Sequence, residues 1–146
     1  MKQEVISKPF REGHLDLFAC VPKYQQQCDE SVDWMIALGK TDQCGSIMIG
    51  HRILYIGAFF TVASGVVEVF ILPSIYVEHY VKSFYGHVKW WLSYLLSRPG
   101  VRRLQTWGED TEDSARWLSH LGFKREGTLY CYGPVGENTT IWGIVK

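Results

Sequence analysis

With 146 residues the chain is long enough for one domain, residues 1–146, with a core of its own. Its formal net charge of zero leaves no electrostatic footprint for nucleic acid or an anionic membrane. Aromatic residues at 14%, beside 21% charged, point to a tightly packed or ligand-facing interior. Cys20, Cys28, Cys44 and Cys131 form no C-x-x-C pair and have no histidine at zinc-ligand spacing, which argues against a disulfide scaffold and a metal site. The opening MKQEVISKPFREG holds no apolar run of signal-peptide length, and the longest apolar stretch is interrupted by Gly57, Ser64, Gly65 and Glu68. The expectation is a soluble, cytosolic protein.

The first strand is expected over Gln3–Ser7, ended by Lys8 and Pro9. HLDLFACV, within Glu12–Val21, suggests a first helix with Leu15, Phe18 and Ala19 inward, stopped at Pro22. A second helix follows in SVDWMIALGK, capped by Asp29 or Ser31, terminated by Gly39 and burying Val32, Met35, Ile36 and Leu38. From Gly45 the period becomes strand-like. Ser46–Ile49 and Ile53–Val62 flank a tight turn at Gly50-His51-Arg52, and Ala63-Ser64-Gly65 leads into the strand VVEVFILPS. That strand is apolar on both faces except for Glu68, as a central strand should be.

It runs into IYVEHYVKSFYGHVKWWLSYLL, where Val77, Val81, Phe84, Tyr85, Val88, Trp91, Leu92, Leu95 and Leu96 recur at helical spacing on one face. Arg98-Pro99-Gly100 ends that helix, and Val101–Trp107 is a further strand carrying Gln105 and Trp107 on the same side. The turn Gly108–Thr111 caps a helix over Glu112–Leu121, which stops at Gly122, and Gly127–Tyr132 and Thr140–Val145 make a closing hairpin. The order β-α-α-β-β-β-α-β-α-β-β predicts an α/β (α+β) chain with a mixed sheet of about six to seven strands and helices on both faces.

This order, the segment DTEDSARWLSHLGFKREGTL (Asp110–Leu129) and the meander ending in VVEVFILPS resemble the GNAT N-acetyltransferases. The resemblance implies acetyl-CoA held where the fourth and fifth strands splay, with its pyrophosphate wrapped by a Q/R-x-x-G-x-G loop at a helix N-terminus. It places that loop at PSIYVEHYVKSFYG, which has a single late glycine, bulky Ile75, Tyr76, Val77 and Tyr80, and Glu78 beside the expected phosphates. His79 and Lys82 offer partial compensation. It also implies backbone contacts to the pantetheine at Phe70, Ile71 and Leu72, and a carboxylate base at Glu68. Four residues before the glycine of Leu-Gly-Phe, where the family carries a tyrosine as general acid, stands Leu118, which has no proton to give.

Retained fold with an eroded loop is similar to the small GNAT-like proteins of tailed bacteriophages. That resemblance implies a non-catalytic binding, virion-assembly or host-interaction protein, located in the host cytoplasm or virion. The alternative is an active acetyl-CoA-dependent N-acetyltransferase acting on a protein or small-molecule amine. No G-x-S-x-G elbow supports hydrolysis, and His79 and His87 stand too far apart on one helix to share a metal. Trp90 falls off the buried face beside Lys89 and Tyr94, so Trp90 and Tyr94 are the expected contact site for a protein partner.

Overall fold

The computed structural model describes residues 4–146. Seven strands, β1 (Val5–Pro9), β2 (Cys44–Ile49), β3 (Arg52–Ala63), β4 (Val66–Pro73), β5 (Arg103–Glu109), β6 (Lys124–Leu129) and β7 (Thr139–Val145), form a sheet in the order β1-β2-β3-β4-β5-β7-β6. The sheet is mixed, because β4 and β5 are parallel while β1/β2, β2/β3, β5/β7 and β6/β7 are antiparallel. Three α-helices accompany it, α1 (Gln25–Gly39), α2 (Val81–Ser97) and α3 (Glu112–His120), as expected of an α+β chain. Among the described residues no helix is long and apolar enough to cross a membrane.

By internal contacts the chain divides into two compact units. The first comprises the residues up to Phe60 together with Phe70–His87. Its core gathers Phe10, Phe18, Cys28, Met35, Met48, Ile53, Ile56 and Leu72. Several expectations are corrected here. The first strand is Val5–Pro9, paired along β2 through Lys8 and Pro9; Gln3 lies outside the described residues. Pro9 is tolerated because it sits on an edge strand.

No α-helix forms over Glu12–Val21. A 3-10 turn covers Glu12–Asp16, and the chain then extends so that Cys20 bridges Ser74, a long-range pairing that outcompetes local helix propensity. Helix α1 begins at Gln25, ahead of the expected Asp29 or Ser31 cap, because Pro22 starts a 3-10 turn that feeds it. Gln25 and Gln26 donate to Asp29 and Glu30 one turn on, at 2.9 Å each, so the polar run forms an outer face while Cys28, Ser31 and Met35 are buried. The long helix does not reach back to Ile75. Residues Ile75–His79 form a 3-10 turn, Tyr80 leaves helical geometry at φ −134°, and α2 starts at Val81, which is 46% exposed rather than inward.

The second unit comprises Thr61–Val69 and Val88–Lys146. Gly65 turns the chain into β4 at φ +76°, where a Cβ would stand 2.8 Å from the Gly100 carbonyl oxygen. Strand β5 begins at Arg103 and includes Gly108 and Glu109, both paired with β7, so the expected turn shortens to Asp110-Thr111. Thr111 Oγ1 accepts from Ser114 N at 3.2 Å and caps α3, and Phe123 N closes its other end on the Leu118 carbonyl at 3.1 Å, across Gly122 at φ +102°. Strand β6 runs Lys124–Leu129, earlier than the expected Gly127–Tyr132, with an irregularity at Arg125/Gly127.

Two imidazoles of the first unit are hydrogen-bonded to side-chain hydroxyls. Arg11 N–H donates to His14 Nδ1 at 3.3 Å, so the Ser46 hydroxyl, 2.8 Å from the same nitrogen, donates as well. The fully buried Tyr55 keeps its phenolic proton, because burial pushes its pKa up, and bonds His87 Nδ1 at 2.6 Å. Burial lowers both histidines below the ordinary value of 6.5, helped at His14 by Arg11 and Lys8. The unfolded chain therefore binds protons that the native state refuses, so stability is complete above 6.5 and falls as pH drops toward the lowered native values. The melting temperature at about pH 5 should lie below that at about pH 7.5, and His87→Gln should show a smaller drop. Equal melting temperatures would rule out this coupling.

Candidate functional site

The ladder between β4 and β5 consists of Val66↔Arg103, Val67↔Leu104 and Glu68↔Gln105. Alternation along β5 then puts Arg103, Gln105 and Trp107 on one side, with Leu104 and Thr106 buried on the other. The register sets Glu68 beside the first side. Gln105 Nε2 donates to Glu68 Oε1 at 3.0 Å and Trp107 Nε1 donates to the same oxygen at 2.9 Å. Both donors converge on Oε1, which leaves Oε2 to face other donors.

The amide of Gln105 is oriented from behind. Arg103 Nε donates to Gln105 Oε1 at 3.1 Å, and Arg103 Nη1 donates to Glu126 Oε2 at 2.8 Å. The Arg103 hydrogen bond holds the Glu126 carboxyl below the usual carboxylate range and raises the guanidinium in turn. A relay of three polar side chains, Glu126, Arg103 and Gln105, thus fixes Glu68, and the Trp107 ring stacks on Tyr132 at 5.5 Å and 10°. Glu68 is half-buried, not sealed in the core.

The other expected residues belong to the first unit. Phe70 meets Trp34 edge-on at 4.9 Å, Ile71 is half-buried and Leu72 is buried in the core. Lys82 is exposed in the first turn of α2. The turn between them, expected to be too crowded for a diphosphate, is also closed in its hydrogen bonding. Ile75 N donates to Ala19 O at 3.0 Å, Tyr76 N to Ser74 Oγ at 3.1 Å, Val77 N to Ser74 O at 3.3 Å and Tyr80 N to Val77 O at 3.0 Å. Arg52 lies over the Tyr76 ring, 4.7 Å from its centroid. Four amides that a phosphate cradle would use are therefore already engaged.

At the position where the resemblance to GNAT acetyltransferases implies a general acid, Leu118 is 1% exposed. A Cβ on Gly108 would come within 2.8 Å of its Cδ1 and 3.4 Å of Trp142 Nε1, so leucine fills a close-packed pocket. Trp90 and Tyr94 are 61% and 54% exposed and stack on each other at 5.9 Å and 15°. Among the described residues no cluster of histidine, cysteine and acidic side chains could hold a metal. Sequence reasoning missed Gln105 and Tyr132 as partners of this site. The period of β5 marks Gln105 and Trp107 as one face, but only the β4/β5 register brings them to Glu68.

Leu118→Tyr, which reinstates a phenol, should lower stability by roughly 1–3 kcal/mol through overpacking, and Leu118→Ala by roughly 2–5 kcal/mol. Denaturant unfolding reads both. A Leu118→Tyr protein as stable as the parent would mean that the pocket has room for a catalytic phenol.

No family model matches the chain, and no curated protein matches it in sequence. Solved structures do match in shape. A GNAT-family acetyltransferase from Bacillus anthracis superposes with a TM-score of 0.73 at 12% identity, over 99% of this chain and 96% of the other. The microcin self-immunity acetyltransferase MccE, solved with acetyl-CoA and AMP, gives 0.74 at 10% identity over 99% and 94%. A chimera of the spermidine N-acetyltransferase SpeG from Vibrio cholerae with hSSAT gives 0.71 at 15% identity over 97% and 95%. At these identities the likeness speaks for architecture alone: the chain has the fold of the GNAT acetyltransferases.

Proposed function

We propose that this chain is a GNAT-fold binding protein that does not use acetyl-CoA, with the stacked Trp90–Tyr94 pair as its contact surface for a protein partner. A virion-assembly or host-interaction role is the narrower form of the same reading. The observation that carries it is the internal engagement of the Ile75, Tyr76, Val77 and Tyr80 amides. To grip a diphosphate the turn would first have to break these bonds, each worth about 0.5–1.5 kcal/mol net. The leucine at position 118 supports the same reading independently, since a departing thiolate would find no acid there.

A second reading rests on Glu68. A carboxylate oriented through one oxygen, with the other left over, suits taking a proton from an amine that attacks a thioester, and MccE was solved with acetyl-CoA. Thermal melting with acetyl-CoA separates the two readings. A competent site at 100 times its dissociation constant adds about 2.7 kcal/mol, a rise of several degrees for a chain of this size. The expected result is no shift at millimolar acetyl-CoA. A clear shift would defeat the binding-protein reading, and Glu68→Gln should then lower turnover while leaving the shift in place.

A further inference from the structure

The Glu68 carboxylate has no cationic partner among the described residues. Its two donors, Gln105 Nε2 at 3.0 Å and Trp107 Nε1 at 2.9 Å, are neutral, and both meet Oε1. Arg103, the guanidinium of the relay, is committed to Glu126 and to Gln105 Oε1. Aromatic surface lies beside the carboxylate, because the same bond that brings Trp107 Nε1 to Oε1 sets the indole against it. Tyr132 stacks on that indole, yet the two residues stay 37% and 62% exposed. Tyr132 is presented by a pinned loop, in which Cys131 N donates to Asn138 Oδ1 at 3.2 Å, Gly133 N to the Glu137 carbonyl at 2.9 Å and Val135 N to Glu137 Oε2 at 2.9 Å. All of these residues belong to the second unit.

We infer that Glu68, Trp107 and Tyr132 form a receptor for an organic cation, and that this cation is a trimethylammonium group. The inference goes beyond the partner surface proposed above and holds with or without it. Three kinds of cation compete for such a site. A guanidinium pairs best through a fork onto both carboxylate oxygens, and Oε1 already takes two N–H groups, so the fork is denied. A primary ammonium brings three donors to satisfy, while the carboxylate has only Oε2 left to offer and Gln105 Oε1 already accepts from Arg103. A trimethylammonium has no donor to satisfy. Its charge is met by the carboxylate and its methyl groups by the aromatic faces. Such a nitrogen carries no proton for Glu68 to take and accepts no acyl group, so the carboxylate acts here in recognition and not as a base.

The test reads the Trp107 indole N–H resonance in the isotope-labelled full chain, assigned by its loss in Trp107→Phe, with ionic strength held constant. Choline should move this resonance saturably. Ethanolamine, its primary ammonium counterpart, and dimethylbutanol, its uncharged carbon isostere, should bind more weakly. Glu68→Gln should weaken choline binding by about tenfold, through loss of the charge, and Tyr132→Ala by about threefold, through loss of one ring. A short peptide carrying one trimethyllysine and phosphatidylcholine vesicles present the same group, and whichever of the three saturates the signal at the lowest concentration names its source. No saturable shift with any of them, or unchanged affinity in Glu68→Gln, would overturn the receptor. Ethanolamine or dimethylbutanol binding as tightly as choline would overturn the assignment of the cation.

Discussion

What the chemistry of this chain turns on is the hydrogen bonding of the short turn between β4 and α2. Ser74 is buried, its Oγ and carbonyl each take an amide from the turn that follows, and Ala19 takes a third from outside. Backbone amides at the start of a helix are an anion site only while they are free, because each donor presents one hydrogen. Here the same bonds that give the turn its shape engage these amides internally. Bulky side chains at Ile75, Tyr76 and Tyr80 and the Arg52 guanidinium over Tyr76 belong to the same arrangement.

Glu68 presents the opposite case. Its carboxylate is held by a relay that begins at Glu126 and passes through Arg103 and Gln105, with Trp107 as a second donor braced by Tyr132. Such a network restricts the rotamers of all its members, which is how a fold keeps a charged group in one place while it stays half-exposed. A carboxylate so held serves recognition as well as proton transfer, and fold likeness to acetyltransferases does not choose between them. The filled pocket around Leu118 bears on the choice, since an acid for the leaving thiolate has no space there unless Gly108 and Trp142 give way.

The chain after the 3-10 turn at Glu12–Asp16 carries Cys20 to Ser74, a bridge that a helix over Glu12–Val21 would have removed.

The sequence by itself determined the kind of elements and their order: strand periods in β2 to β5, the amphipathic pattern of α2, the cap and glycine stop of α3, and hence a mixed sheet of GNAT type. It also isolated Glu68 as the one charge in an apolar strand, and it placed Leu118 where the resemblance to GNAT acetyltransferases implies an acid. Only the tertiary structure decided where α1 and α2 begin, since those ends depend on a proline turn and on partners far along the chain, Ser74 for Cys20 and Ala19 for Ile75. It likewise decided who meets Glu68. Periodicity assigns a residue to a face but is silent on register, and the three-pair parallel ladder between β4 and β5 is what sets Gln105 and Trp107 against that carboxylate.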